Sequence, residues 1–375
     1  TMKNKIKTVC YISGSRADYG LMKRTLIELR KDVNLHILVT GMHLKEEFGN
    51  TINNIINDGF KYSSTSGIPE NDDLKSMLIC IQNMLGGFIK EISKINPDLI
   101  FVEGDRSESL VGSLTGAFLN IPIIHQGGGD LSGSIDNKIR YAVTSFSDYH
   151  FVGNSESFSK IINLGMDKTK IFNFGEPGLD DIYLKNYLSK EETCKKYNID
   201  LSKKNLVFMI HPDTKEIKKS IENVKKLLNY FKNKEYNIIA IYGNSDSGGR
   251  KINEILLNFS KNNSNLNVHK NLNREDYLGI INICNLMIGN SSSGIIELPS
   301  FRKPFILVGN RQKNRLKANN VLELDDSFLN IDSTFTKALT DQKFKDEIKK
   351  IINPYGDGTF YLKATQQILK ILEGK

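Results

Sequence analysis

Short apolar, β-branched runs recur along the 375-residue chain, and helix-length amphipathic segments separate them. In the first half they are IKTVCYIS, LHILVT, DLIFVEG, IPIIHQ and YHFVG; in the second, NLVFMIHP, YNIIAIYG, LNVHK, NLMIGN and PFILVGN. A strand with one wet face alternates apolar and polar residues, whereas a strand covered on both faces is apolar throughout. Continuous runs alternating with helices therefore predict parallel sheets with helices on either side. The rhythm breaks at FGEPGLDDI, where Gly175, Pro177 and Gly178 interrupt it, and again at NPYGDG, 353–358. The pattern predicts an α/β protein with two Rossmann-like, doubly wound parallel-sheet domains, 1–178 and 179–355, and a last helix, 356–375, crossing back to the first. The length agrees, since a single hydrophobic core rarely grows this large.

Composition adds limits. With 25% charged and 39% hydrophobic residues the chain has an ordinary globular make-up, not that of a disordered one. No apolar run approaches the roughly 18 residues of a membrane span, and no secretion signal follows Thr1-Met2-Lys3. A cytoplasmic protein without membrane association is expected. Cys10, Cys80, Cys194 and Cys284 are scattered, which suits reduced thiols better than disulfides or zinc. The net charge of +8 favours an anionic partner. Lysines are mixed with acids on helical stretches such as QKFKDEIKK, however, and no nucleic-acid motif is present, so nucleic acid is not the expected partner.

The residues that carry chemistry cluster where apolar runs end. In open parallel sheets ligands sit at the carboxyl ends of the strands. There the runs give way to SGSRADYG, TGMH, EGDRSE, HQGGGD, HPDT, GNSDSGG, GNSSSG and GNRQ. A cleft between two domains lined by such loops suits a polar, phosphorylated ligand. In GNSSSGIIE, Ser291, Ser292, Ser293 and Gly294 lie between a strand and a helix starting near Ser292 or Ser293, a natural diphosphate seat; one serine alone would serve as a cap. Glu297 could hold a ribose diol or simply lie on a polar face. Arg16 can grip a phosphate with its planar fork or make a surface ion pair. Asp105, Arg106 and Glu108 read either as a catalytic carboxylate with its neighbours or as a capping box with Asp105 at the cap. His43 and His211 stand at strand ends, where either could touch phosphate or hydroxyl or be structural. No His/Asp/Cys cluster has metal-ligand spacing, and SGSRADYG is not a dinucleotide fingerprint, so neither a metal nor a cofactor is expected.

The three glycines of HQGGGD permit positive φ and close backbone approach. They would let a bulky ligand reach Asp130 and Asp136, the latter equally able to pair with Arg140 at i,i+4. With Asp105 these make three acids at neighbouring strand ends, and mutual repulsion can supply both a base and an acid near neutral pH.

Taken in order from about Lys5 to Arg315, SRADYGL, TGMHLKEEFG, GDRSE, HQGGGDLSGSIDNKIRYA, GNSSSGIIELPSFRKP and VGNRQKNR resemble the hydrolysing UDP-N-acetylglucosamine 2-epimerases of sialic- and legionaminic-acid biosynthesis. The resemblance implies a GT-B-like fold and a reaction in which UDP-GlcNAc and water give UDP and N-acetylmannosamine. It implies catalytic roles for Asp105, Asp130 and Asp136, and diphosphate contacts for Arg16, His211, Ser291 and Ser292. It further implies a ribose contact for Glu297, a loop near the sugar and phosphates at Asn244 and Asp246, and a closing segment with Gln312 and Arg315. The family commonly has glutamate where this chain has Asp130, and here the loop to Asp136 is one residue shorter. That widens the candidate sugars to UDP-diacetamido-trideoxyhexoses, and GDP could replace UDP. A homodimer or homotetramer is expected on the same ground. The rival readings are a GT-B glycosyltransferase, a non-hydrolysing epimerase that keeps the sugar on UDP, and an inactive nucleotide-sugar binding protein.

Overall fold

The computed structural model describes residues 6–46, 49–67, 74–131, 136–213, 216–232, 234–242, 248–270, 272–324 and 327–374. Two compact units emerge. One holds the described residues of Thr1–Asp130, Ile135–Asp180 and Tyr355–Lys375, the other those of Leu131–Ser134 and Asp181–Pro354.

The first unit carries β1 (Thr8–Ser13), β2 (Asn34–Val39), β3 (Lys61–Ser64), β4 (Leu99–Glu103), β5 (Ile123–Gln126), β6 (Tyr149–Val152) and β7 (Ile171–Asn173) in the order β3-β2-β1-β4-β5-β6-β7. Every pair is parallel. Strand residues alternate between two cores, as a period of two requires. Val9, Tyr11, Leu99 and Phe101 join Met22 and Leu26 of the helix Arg16–Leu29 and Phe360, Ala364 and Ile368 of the helix Phe360–Leu372. Cys10, Ile12, Ile100 and Val102 face the other way, onto Met84, Phe88 and Ile92 of the helix Leu74–Ile95. The Asp180 carboxylate accepts from the backbone N–H groups of Phe360 and Tyr361 at 2.9 and 2.8 Å, which pins the start of the last helix.

The second unit has β8 (Lys204–Met209), β9 (Tyr236–Ile241), β10 (Leu266–His269), β11 (Leu286–Gly289), β12 (Phe305–Val308) and β13 (Val321–Leu324), all parallel, in the order β10-β9-β8-β11-β12-β13. Leu206, Phe208, Ile288 and Ile306 pack on Val224, Leu227, Leu228 and Phe231 of the helix Ile217–Phe231.

All ten apolar runs are strands. The three additional strands, β3, β7 and β13, lie at sheet edges. Cys10, Cys80, Cys194 and Cys284 are all free thiols, the first two and the last buried. No helix among the described residues is long and apolar enough to cross a membrane.

Candidate active site

In the first unit the predicted residues gather at the carboxyl edge of the sheet. Arg16 opens the helix that follows β1, half-exposed, behind a capping box in which Ser15 and Asp18 satisfy each other. Asp18 also accepts from the Gly14 and Ser15 N–H groups at 3.0 and 2.8 Å and from the Ser13 hydroxyl. Burial pushes the Asp18 carboxyl up to about 6 in spite of the Ser13 hydrogen bond.

His43 is fully buried. Its Nε2 meets the Ser13 hydroxyl at 2.9 Å and its Nδ1 the Thr51 hydroxyl at 2.8 Å. Because Ser13 gives its proton to Asp18, His43 must donate from Nε2 and accept at Nδ1. Burial lowers its pKa to about 4, so the ring is neutral. His43 thus secures the turn that carries Arg16, from behind.

The capping-box reading of Asp105 does not hold. The cap of the helix Ser107–Phe118 is Arg106, with no side-chain cap bond. Asp105 instead accepts a charged hydrogen bond from Arg140. Glu108 is buried against the strand ends, where a Cβ on Gly14 or Gly41 would come within 2.5 or 2.6 Å of its carboxylate; Gly41, with φ +62° and the Gly14 carbonyl 2.6 Å from its Cβ position, must be glycine. Arg106 approaches Glu108 at 3.6 Å and is itself half-exposed.

The glycine loop also has a structural reason. Gly127 and Gly129 have φ of +83° and +81°, and a Cβ on Gly129 would strike the Ser157 carbonyl at 2.4 Å. This close seat delivers Asp130, 8% exposed, to the Ser157 hydroxyl at 2.7 Å. Asp136 begins the helix Asp136–Phe146. The guanidinium of Arg140, one turn on, goes to Asp105 and the Gly127 carbonyl and not to Asp136.

Two acids that sequence reading passed over join this edge. Glu103 ends β4, and burial pushes its carboxyl up to about 8, with Asp18, Asp105 and Glu176 adding to the rise and Arg140 opposing it. Glu176 lies over Gly153, where a Cβ would collide with its carboxylate at 1.9 Å. A charged residue closing an otherwise apolar run, as in DLIFVEG, was the available signal for Glu103. Behind them, His125 donates from Nε2 to the Gly104 carbonyl at 2.8 Å and burial drops its pKa to about 3.

The carboxyl edge of the second sheet has a different character. Asn290 clamps His211 on both sides, accepting from its N–H at 2.7 Å and donating to its carbonyl at 2.8 Å. Burial, assisted by Arg311, lowers the His211 pKa to about 3. Gly289, with φ +148°, lies so close to the Met209 carbonyl that a Cβ would sit 1.8 Å away. Ser292 caps the one-turn helix Ser293–Ile296, and a Cβ on Gly294 would meet the Phe305 ring at 2.5 Å. The Ser291 hydroxyl accepts from the Ser293 N–H at 3.3 Å. Ser293 takes a 2.5 Å bond from the Tyr277 hydroxyl and donates to Glu297, which also pairs with Arg274 at 2.5 Å. Gln312 donates to the Asn290 carbonyl at 3.0 Å, and Arg315 closes the same turn through its N–H to the Gln312 carbonyl. Asn244 and Asp246 lie outside the described residues. Among the described residues no group of three His, Cys, Asp or Glu side chains could hold a metal ion.

The family profile described as UDP-N-acetylglucosamine 2-epimerase matches residues 26–373. A Legionella pneumophila UDP-N,N'-diacetylbacillosamine 2-epimerase (hydrolyzing) is 33% identical over 94% of this chain and 93% of its own. A Campylobacter jejuni GDP/UDP-N,N'-diacetylbacillosamine 2-epimerase (hydrolyzing) is 33% identical over 90% and 89%, and the Escherichia coli polysialic acid biosynthesis protein P7 is 31% identical over 99% and 95%. Among solved structures, the S. aureus MnaA–UDP co-structure superposes with a TM-score of 0.79 at 18% identity over 98% of this chain and 97% of that one. The Neisseria meningitidis UDP-GlcNAc 2-epimerase bound to UDP-GlcNAc gives 0.73 at 17% over 97% and 100%. These superpositions establish the GT-B-like class of the two α/β units. The chain belongs to the UDP-N-acetylglucosamine 2-epimerase family.

Proposed function

We propose that the protein is a hydrolysing 2-epimerase of nucleotide-diphosphate amino sugars, converting the sugar nucleotide and water to the nucleoside diphosphate and the free sugar inverted at C2. The observation that carries this reading is the set of acids at the first unit's sheet edge, with Asp105 and Asp130 held by Arg140 and Ser157 and Glu103 raised to about 8. A binding module has no need of groups poised on both sides of neutral pH, and a glycosyltransferase needs one base at most.

In the proposed sequence a carboxylate takes the proton from C2, the C1–O bond breaks, and UDP leaves with that electron pair. The intermediate has a C1–C2 double bond. Water then adds its hydroxyl at C1 while an acid returns a proton to the opposite face of C2. Asp105, Asp130 and Asp136 are the proposed proton carriers. The diphosphate is the part for the second unit, where Ser291, Ser292 and His211 supply hydroxyls, backbone N–H groups and a neutral imidazole. Arg16, Arg106, Glu108, Gln312 and Arg315 are proposed to orient the substrate. Two relatives at 33% identity named for N,N'-diacetylbacillosamine favour a UDP-diacetamido sugar, with UDP-GlcNAc as the second substrate. The proposed reaction has no redox step, and the proposed enzyme is a cytoplasmic homodimer or homotetramer.

Proton NMR in D2O with each sugar nucleotide tests the proposal. Free UDP with a C2-deuterated, C2-inverted free sugar supports it. A C2-inverted sugar still attached to UDP would assign the non-hydrolysing branch, and unchanged substrates would leave only a binding protein.

A further inference from the structure

Arg140 is the least expected residue of the first unit. On the helix Asp136–Phe146 it is 6% exposed, and its two terminal nitrogens reach different partners, Nη2 the Asp105 carboxylate and Nη1 the Gly127 carbonyl. Among the described residues its Nε has no hydrogen-bond partner. A buried donor left unmade is costly, so the purpose of burying this group lies in what its other atoms and its charge do.

Its surroundings give that purpose. Burial works against the charge of Arg140, yet Asp105, Asp130, Glu103 and Glu176 together hold its pKa above the usual value. Behind this group stand Asp18 on the β1 side and the buried, neutral His125 on β5, and Asp136 precedes Arg140 by one turn. Four carboxylates share the field of one guanidinium, and the like charges of Asp105 and Glu176 add to the burial that holds the proton on Glu103. Asp105 has the direct ion pair; Glu103 has only the field of the cation.

We propose that Arg140 is the positioning residue of the acid site: it pins Asp105 as a carboxylate and, through the Gly127 carbonyl, ties the glycine turn carrying Asp130 to the strand end carrying Asp105. A planar fork can serve a carboxylate and a carbonyl on separate strands at the same time; an ammonium group reaches the two less well. The catalytic half of this inference rests on the function proposed above, whereas the electrostatic half does not.

The test compares the wild type with Arg140→Lys, Arg140→Met and Arg140→Ala. With a sugar nucleotide that the wild type turns over, Arg140→Met is expected to lower kcat by about 10²-fold or more, with KM and UDP affinity within about threefold. The acidic limb of its kcat profile should move up by about one pH unit or more, because loss of a cation favours the protonated acid. Arg140→Lys should recover part of kcat, and added guanidinium should restore some turnover to Arg140→Ala. Unchanged kcat and an unmoved limb, or a rise in KM alone, would overturn the proposal. Carboxyl 13C NMR titration of wild type and Arg140→Met tests the electrostatic half without substrate. Side-chain carboxyl resonances of the cluster titrating at higher pH in the variant support it, and superimposable curves overturn it. If Arg140→Met fails to fold, the same titration of Arg140→Lys decides, with a smaller upward shift expected. A wild type that releases no UDP from any sugar nucleotide would fail the functional reading and leave the titration to judge Arg140.

Discussion

The carboxyl edges of the two sheets have the same topology and opposite chemistry. At the first, acids are packed around the buried Arg140, with the Glu103 carboxyl pushed up to about 8. At the second, a neutral imidazole, hydroxyls and an amide clamp surround a one-turn helix start. On the proposed function, the contrast follows from where charge must change. Proton transfer needs groups whose protonation is finely balanced, and burial with like-charged neighbours provides that balance. Gripping a diphosphate needs donors whose protonation does not change, and N–H and O–H groups provide those.

If that division is right, the two edges should fail differently. The largest effect is expected at Asp105. Asp105→Asn should lower kcat by about 10²-fold or more and leave UDP affinity, measured by calorimetry, within about twofold. A parallel loss of UDP affinity would break the division. At the other edge, Asn290→Ala removes both bonds to the His211 backbone. It should weaken UDP binding by about tenfold and raise KM more than it lowers kcat, since each lost buried hydrogen bond is worth roughly 1 kcal/mol or more.

Stability should sense the same chemistry through pH. His43, His125, His150 and His211 have folded pKa values lowered by burial to about 4, 3, 4 and 3. Their contribution is present above the usual histidine value of 6.5 and is lost as the pH falls toward those values. Asp18 and Glu103, raised to about 6 and 8, act in the opposite sense, so their contribution is greatest at low pH and is lost as the pH rises through those values. Four of these groups outweigh the other two below pH 6.5, and of the six Glu103 alone acts between 6.5 and 8. The melting temperature should peak near pH 6.5 and fall on both sides, more steeply in acid; a profile still rising at pH 8 would contradict the Glu103 assignment. The smallest effect is expected for Thr51→Val, which removes the donor to His43 Nδ1 and should cost about 1 kcal/mol, read as a shift in denaturation midpoint with little change in kcat.

The strands were legible in the sequence because their neighbours bury them on both faces. KYSS, IFN and VLEL were not: as edge strands β3, β7 and β13 they are short or carry polar residues, and they lack the continuous apolar signature. The positions of Asp105 and Asp130 were legible too, since each lies just past an apolar run, whereas Glu103 and Glu176 were passed over. Their partners were not. The i,i+4 spacing suggests Asp136 for Arg140, whereas the guanidinium pairs 35 residues away with Asp105. Asn290 likewise clamps a residue 79 positions distant. Helical spacing reports neighbours along one element, whereas these bonds join different elements, a helix to the turn after β4 and the turn after β11 to the turn after β8, where sequence separation carries no signal.

The returning helix Phe360–Leu372 bears on how the protein is made. Phe360, Ala364 and Ile368 fill a core whose other walls are Val9, Tyr11, Met22 and Leu26, more than 330 positions earlier in the chain. During synthesis the β1–β7 sheet therefore emerges with one face only partly covered and waits for the whole second unit before its last wall arrives. The unit begun first is finished last, and through that interval it depends on partial packing, or on a chaperone, to keep its apolar face from other chains.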